Sequence, residues 1–165
     1  MDMYNAVIKT LYAQYTQVRE AAIRQCEQRR LHNVAEALRD CAIFNGNETL
    51  EQLAKAYKST QGCEFCMRHH FPNLATLRLL KKERLERFGI FLDAGHITLD
   101  DPKGKVVLVG RTTAVINCNE LRSYEIACLH QARAIVNAAG WSVVHIAAES
   151  GCNIVRNISE NAVIV

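Results

Sequence analysis

The chain has 165 residues and a mass of 18.6 kDa, enough for a domain with a core of its own. At 49% hydrophobic and 22% charged residues, with 8 Gly and 2 Pro, it excludes disordered, collagen-like and low-complexity chains. The formal net charge of +3 is too mild for a histone-like binder and of the wrong sign for an acidic mimic of DNA. Residues 1–55 hold 7 basic and 7 acidic side chains, residues 56–111 hold 10 and 6, and residues 112–165 hold 3 and 4. The positive excess therefore sits in the middle third.

The first segment, residues 3–31, predicts a long helix, because Val7, Leu11, Tyr15, Val18 and Ala22 follow the four/three spacing of one face. Ile8 and Tyr12 widen that face, which predicts burial against other helices or against a second copy of the chain in a homodimer. Asn33 suits the cap of a second helix reaching Ile43, with Val34, Leu38 and Cys41 inward. Asn45-Gly46-Asn47 reads as a turn, with Asn47 capping a third helix whose first turn carries Glu48 and Glu51. After Cys63-Glu64-Phe65-Cys66-Met67-Arg68-His69-His70, a fourth helix is predicted from about Asn73 to Phe88 and stopped by Gly89.

Beyond Gly89 the apolar period becomes extended. Strands are predicted around Ile90–Leu92, Ile97–Leu99 and Val106–Val109, with Gly110-Arg111 as a two-residue hairpin into Thr112–Asn117. Asn117 and Glu120 have capping-box spacing, so a helix is expected from Cys118 to Ala139, with Leu121, Tyr124, Cys128, Ala132, Ile135 and Ala139 inward. Strands over 141–148, 153–158 and 162–165 complete the pattern. The expected class is α+β: an N-terminal helical region, residues 1–89, then an antiparallel sheet packed on one long helix, residues 90–165. No internal repeat is expected from the pattern.

The N-terminus lacks a basic leader region, and every apolar run is interrupted well before ~18 residues, so a cytoplasmic protein away from membranes is expected. Seven cysteines in that setting read as thiols or metal ligands rather than disulfides. Cys63 and Cys66 have the two-residue gap of a zinc knuckle, and His69 or His70 supplies a third donor of the right chemistry for Zn2+. A fourth would come from Cys26, His32, Cys41 or His96.

On the helix expected to follow, Arg78, Lys81, Lys82, Arg84 and Arg87 decorate the outward side, where each can displace a counterion from a phosphate. The favoured expectation is a non-enzymatic regulatory protein with structural zinc that contacts nucleic acid through this basic helix. The alternatives are a protein-binding inhibitor or adaptor, and a small enzyme using Cys118 or Cys152 with His130 or His145. No GxGxxG, Walker-type loop, HExxH or GxSxG is present, so the common nucleotide-dependent and hydrolase chemistries have no support.

Overall fold

The structure is a computed structural model that describes residues 2–165. The chain divides into two units, Met1–Lys82 and Glu83–Val165.

The first unit is helical: α1 (Met3–Gln28), α2 (His32–Asp40), α3 (Leu50–Lys58), α4 (Thr60–His69) and α5 (Leu74–Arg78). The predicted face of α1 is buried at Val7, Ile8, Leu11, Tyr15 and Ala22, whereas Val18 is only partly covered and Tyr12, expected to widen the face, is exposed. Tyr15 is the centre of an aromatic cluster, its ring 5.3 Å from Phe44, 5.2 Å from Phe65 and 5.9 Å from Phe71. Its hydroxyl donates to the Cys41 carbonyl at 3.0 Å and accepts from the Ile43 amide at 3.2 Å. One buried phenol thus satisfies the backbone of the segment leaving α2, where no helix supplies partners.

The start of α3 differs from expectation. Thr49 caps it, in a capping box with Gln52, and the Glu48 carboxylate accepts the amides of Asn45 and Gly46 instead of facing the helix dipole. Ser59 ends α3 and begins α4, accepting the Gly62 amide at 3.0 Å. A Cβ at Gly62 would lie 1.9 Å from the Ala56 carbonyl oxygen, so only glycine lets these two helices meet so closely. Asn73 caps as predicted, accepting the Thr76 amide at 2.9 Å. The helix it begins ends at Arg78, however, not at Phe88. The chain continues in two 3-10 turns, Lys81–Glu83 and Leu85–Phe88, with Arg84 left-handed at φ 55°.

The second unit holds β1 (Ile90–Leu92), β2 (Gly95–Asp100), β3 (Val106–Val109), β4 (Thr112–Cys118), β5 (Ser123–Leu129), β6 (Arg133–Ala138), β7 (Val143–Ala148), β8 (Asn153–Ile158) and β9 (Val163–Ile164). The odd-numbered strands form one sheet, in the order β1-β3-β5-β7-β9, and the even-numbered strands the other, β2-β4-β6-β8. Every pairing is parallel. The unit is therefore a parallel β-solenoid, in which each coil lays one strand on each sheet. This overturns the expected antiparallel sheet. Gly110-Arg111 is not a hairpin but the corner where the chain passes from one sheet to the other.

An internal repeat is present after all. Ser123 pairs with Val143 and Val143 with Val163, while Thr113 pairs with Arg133 and Arg133 with Asn153, a step of twenty residues. The first coil is shorter, pairing Ile90 with Val107. Leu108, Ile126, Cys128 and Val144 from one sheet and Ala114, Ile116, Ala134 and Val136 from the other fill the interior.

The expected helix from Cys118 to Ala139 is in fact β5 and β6. Inward residues alternate as 124, 126, 128 and then 132, 134, 136, 138, because His130 and Gln131 turn the corner in left-handed conformation. The four-residue step from Cys128 to Ala132 mimics a helical stripe. Asn117, read as a helix cap, instead belongs to a ladder across the second sheet. Asn117 Nδ2 donates to Asp100 at 2.6 Å, Asn137 Nδ2 to Asn117 Oδ1 at 2.8 Å, and Asn157 Nδ2 to Asn137 Oδ1 at 2.8 Å.

Candidate interaction sites

Residues 63–69 lie within α4 rather than in a knuckle. A helix places residues three apart on one side, and here that side is the core: Cys63 is 3% and Cys66 0% exposed. His69 is half-buried against the Phe65 ring, 4.6 Å between centroids, and His70 is the exposed left-handed residue that ends the helix. Among the described residues no group of three His, Cys, Asp or Glu side chains could hold a metal ion. The expected Zn2+ site at Cys63, Cys66, His69 and His70 is thereby overturned. The spacing that suits a zinc knuckle in a loop also suits two core positions on a helix.

The outer side of α4 forms a groove with α2 and the segment after it, of about 330 Å³. Val34, Leu38, Ile43 and Phe65 make its apolar walls, and Gln61, Glu64, Arg68 and His69 its polar ones. Burial first, then the charges of Arg68 and His70, hold the His69 imidazole below its ordinary pKa. His69 is therefore neutral at pH 7, and Arg68 is the cation of the groove.

The five predicted phosphate-contacting side chains are all exposed. They do not share one helix face. Arg78 ends α5, Lys81 and Lys82 lie in a 3-10 turn, and Arg84 and Arg87 belong to the second unit. Arg84 pairs with Glu86 at 3.3 Å, and the Arg87 guanidinium lies 4.8 Å from the Phe88 ring centre.

None of the seven cysteines is joined in a disulfide. Cys118 and Cys128 are in the solenoid interior. Burial, with Asp101 second, pushes the Cys118 thiol up to about 11. Burial also raises Cys152 above its ordinary value. Both are therefore protonated at neutral pH, the wrong state for a nucleophile. His145 on β7 pairs with Glu125 on the neighbouring β5 of the same sheet, and His130 sits at a corner, its amide donating to the buried Glu149 carboxylate at 2.6 Å.

The turns between coils carry a feature that sequence reasoning assigned elsewhere. Leu121 was expected inward on a helix; it is 82% exposed. Trp141, one coil later in the same turn position, is 64% exposed. The turns are stacked by the Val143 amide donating to Arg122 and the Val163 amide to Ser142, at 3.1 and 3.0 Å. Two residues beyond, Val143 and Val163 pair on the outer face of their sheet and are also exposed. Four exposed apolar side chains thus lie in, or just after, the stacked turns between successive coils. The turn beneath is stiff. Asp101 accepts the Asn119 amide and the Tyr124 hydroxyl, both at 2.7 Å, and Arg122 donates to the Asp101 and Pro102 carbonyls while lying 4.2 Å from the Tyr124 ring centre. The Asn119 amide, then the Tyr124 hydroxyl, holds the Asp101 carboxyl below its usual range.

No protein-family model matches this chain, and no curated protein or solved structure matches it either. No helix among the described residues is long and apolar enough to cross a membrane.

Proposed function

We propose that this is a non-enzymatic binding protein of the inhibitor or adaptor kind, acting through contact with another protein along the turn edge of its solenoid. The observation that carries the reading is the exposed set Leu121, Trp141, Val143 and Val163 on a rigid scaffold. Large exposed apolar patches are uncommon on soluble domains and mark contact surfaces. Trp is among the residues that dominate binding energy when a partner covers them. A photo-crosslinking side chain at position 141, with one at the exposed His96 as control, tests the reading in cells that make the protein. One defined heavier species from position 141, lost when Leu121→Ser is added, supports it. Identical patterns from the two positions, or no adduct, refute it.

A second reading has its own support. The helical unit holds 12 Lys and Arg against 8 Asp and Glu, with Arg78, Lys81 and Lys82 exposed. That supports a phosphate contact to nucleic acid, tested by gel shift at two salt concentrations. Binding that is absent at low salt, or indifferent to salt, removes it.

A further inference from the structure

The groove on the helical unit combines an apolar floor with two opposite charges that do not neutralise one another. Glu64 and Arg68 are four residues apart on α4, about 5–6 Å between Cβ atoms, in the order that favours a helix ion pair. Both are exposed and line the groove, yet neither is paired with the other or with any described side chain. Beside them Leu38, Ile43 and Phe65 present apolar surface, and Val34 on α2 is exposed without cover.

The size restricts the occupant. About 330 Å³ is at the lower limit of the roughly 300–1,000 Å³ typical of small-ligand sites, too little for a docked helix. The charges restrict it further. A plain carboxylate would meet Glu64, and a plain amine would meet Arg68. A molecule carrying both groups on one carbon, with an apolar limb, satisfies each. We propose that this groove binds a free hydrophobic α-amino acid. Its ammonium lies on Glu64, its carboxylate is held by Arg68, and its side chain packs between Leu38, Ile43 and Phe65. The Gln61 amide and the neutral His69 ring supply further hydrogen-bonding partners at the rim. Arg68 suits the carboxylate because its planar fork can donate two parallel bonds.

Isothermal titration of the full chain with L-phenylalanine and L-leucine tests this, with 3-phenylpropionate and phenethylamine as probes lacking one head group each. Saturable binding of at least one amino acid is expected, weakened about tenfold by removing either head group. Arg68→Gln and Glu64→Gln, both at exposed positions, should each weaken binding by a similar factor while the helical circular dichroism is unchanged. Three results overturn the proposal: no saturation by either amino acid up to about 10 mM, 3-phenylpropionate binding as tightly as phenylalanine, or Glu64→Gln binding like the native chain.

Discussion

Replacing Asn137 probes the logic of the solenoid most directly. The ladder has a direction because it begins on a carboxylate. Asp100 can only accept, so Asn117 must turn its amino group toward it, leaving Oδ1 to receive Asn137 and, by the same rule, Asn137 to receive Asn157. Asn137 makes two of these bonds, each 2.8 Å long, and Asn157 makes one in the ladder. At ~0.5–1.5 kcal/mol net per bond, Asn137→Ala should cost ~1–3 kcal/mol and Asn157→Ala ~0.5–1.5 kcal/mol.

Asn137→Asp is the sharper perturbation. It keeps an acceptor for Asn157 but sets a carboxylate against the Asn117 oxygen. The introduced acid is then held above the ordinary value of ~3.9, because only its protonated form can donate. A group whose folded pKa is raised contributes stability below its unfolded value, and that contribution is lost as pH rises through the folded value. Relative to the native chain, this variant should therefore regain stability as pH falls from neutral. Urea denaturation followed by far-UV circular dichroism at several pH values measures all three. The reasoning fails if Asn137→Ala costs no more than Asn157→Ala, or if the gap between Asn137→Asp and the native chain does not narrow in acid.

Other expectations follow from the same structure. Ile116 is fully buried between the sheets, so Ile116→Ala should cost ~2–5 kcal/mol, whereas Val155→Thr on the exposed outer face should stay within about 0.5 kcal/mol; denaturation midpoints compare them. Gly62→Ala forces a methyl onto the Ala56 carbonyl and should cost ~1–3 kcal/mol, read as an earlier loss of helical signal. Cys118 is a thiol held to about 11 from an ordinary 9.0, so the unfolded chain loses this proton first and stability should decline across that interval. Cys118→Ala should flatten that alkaline decline in a pH series of melting curves.

Much of the helical unit is legible in its sequence. The centre of the α1 face, Val7, Ile8, Leu11, Tyr15 and Ala22, is read correctly because a 3.6-residue period over 26 residues has no competing explanation, while its width is overestimated at Tyr12, which is exposed. The Asn73 cap and the extended character after Gly89 are local signals, and both are read correctly. Cys63 and Cys66 show where local reading stops: spacing alone does not distinguish a metal knuckle from two core positions on a helix, and burial at 3% and 0% decides for the core.

The solenoid divides in the same way. Strand propensity in Val106–Val109 and Thr112–Asn117 is a property of the residues. The partner of each strand is not, because parallel pairing joins residues twenty apart in sequence through a second sheet. The asparagines at 117, 137 and 157 carried that period in plain sight, yet a single Asn beside Glu120 also fits a helix cap. The two left-handed residues at the corner of the third coil, His130 and Gln131, convert alternation into an apparent helical stripe. Local chemistry therefore determines where this chain can be helix or strand. Only tertiary closure, which must bury one face of every strand and pair its backbone, determines the direction of the strands and which apolar side chains remain outside.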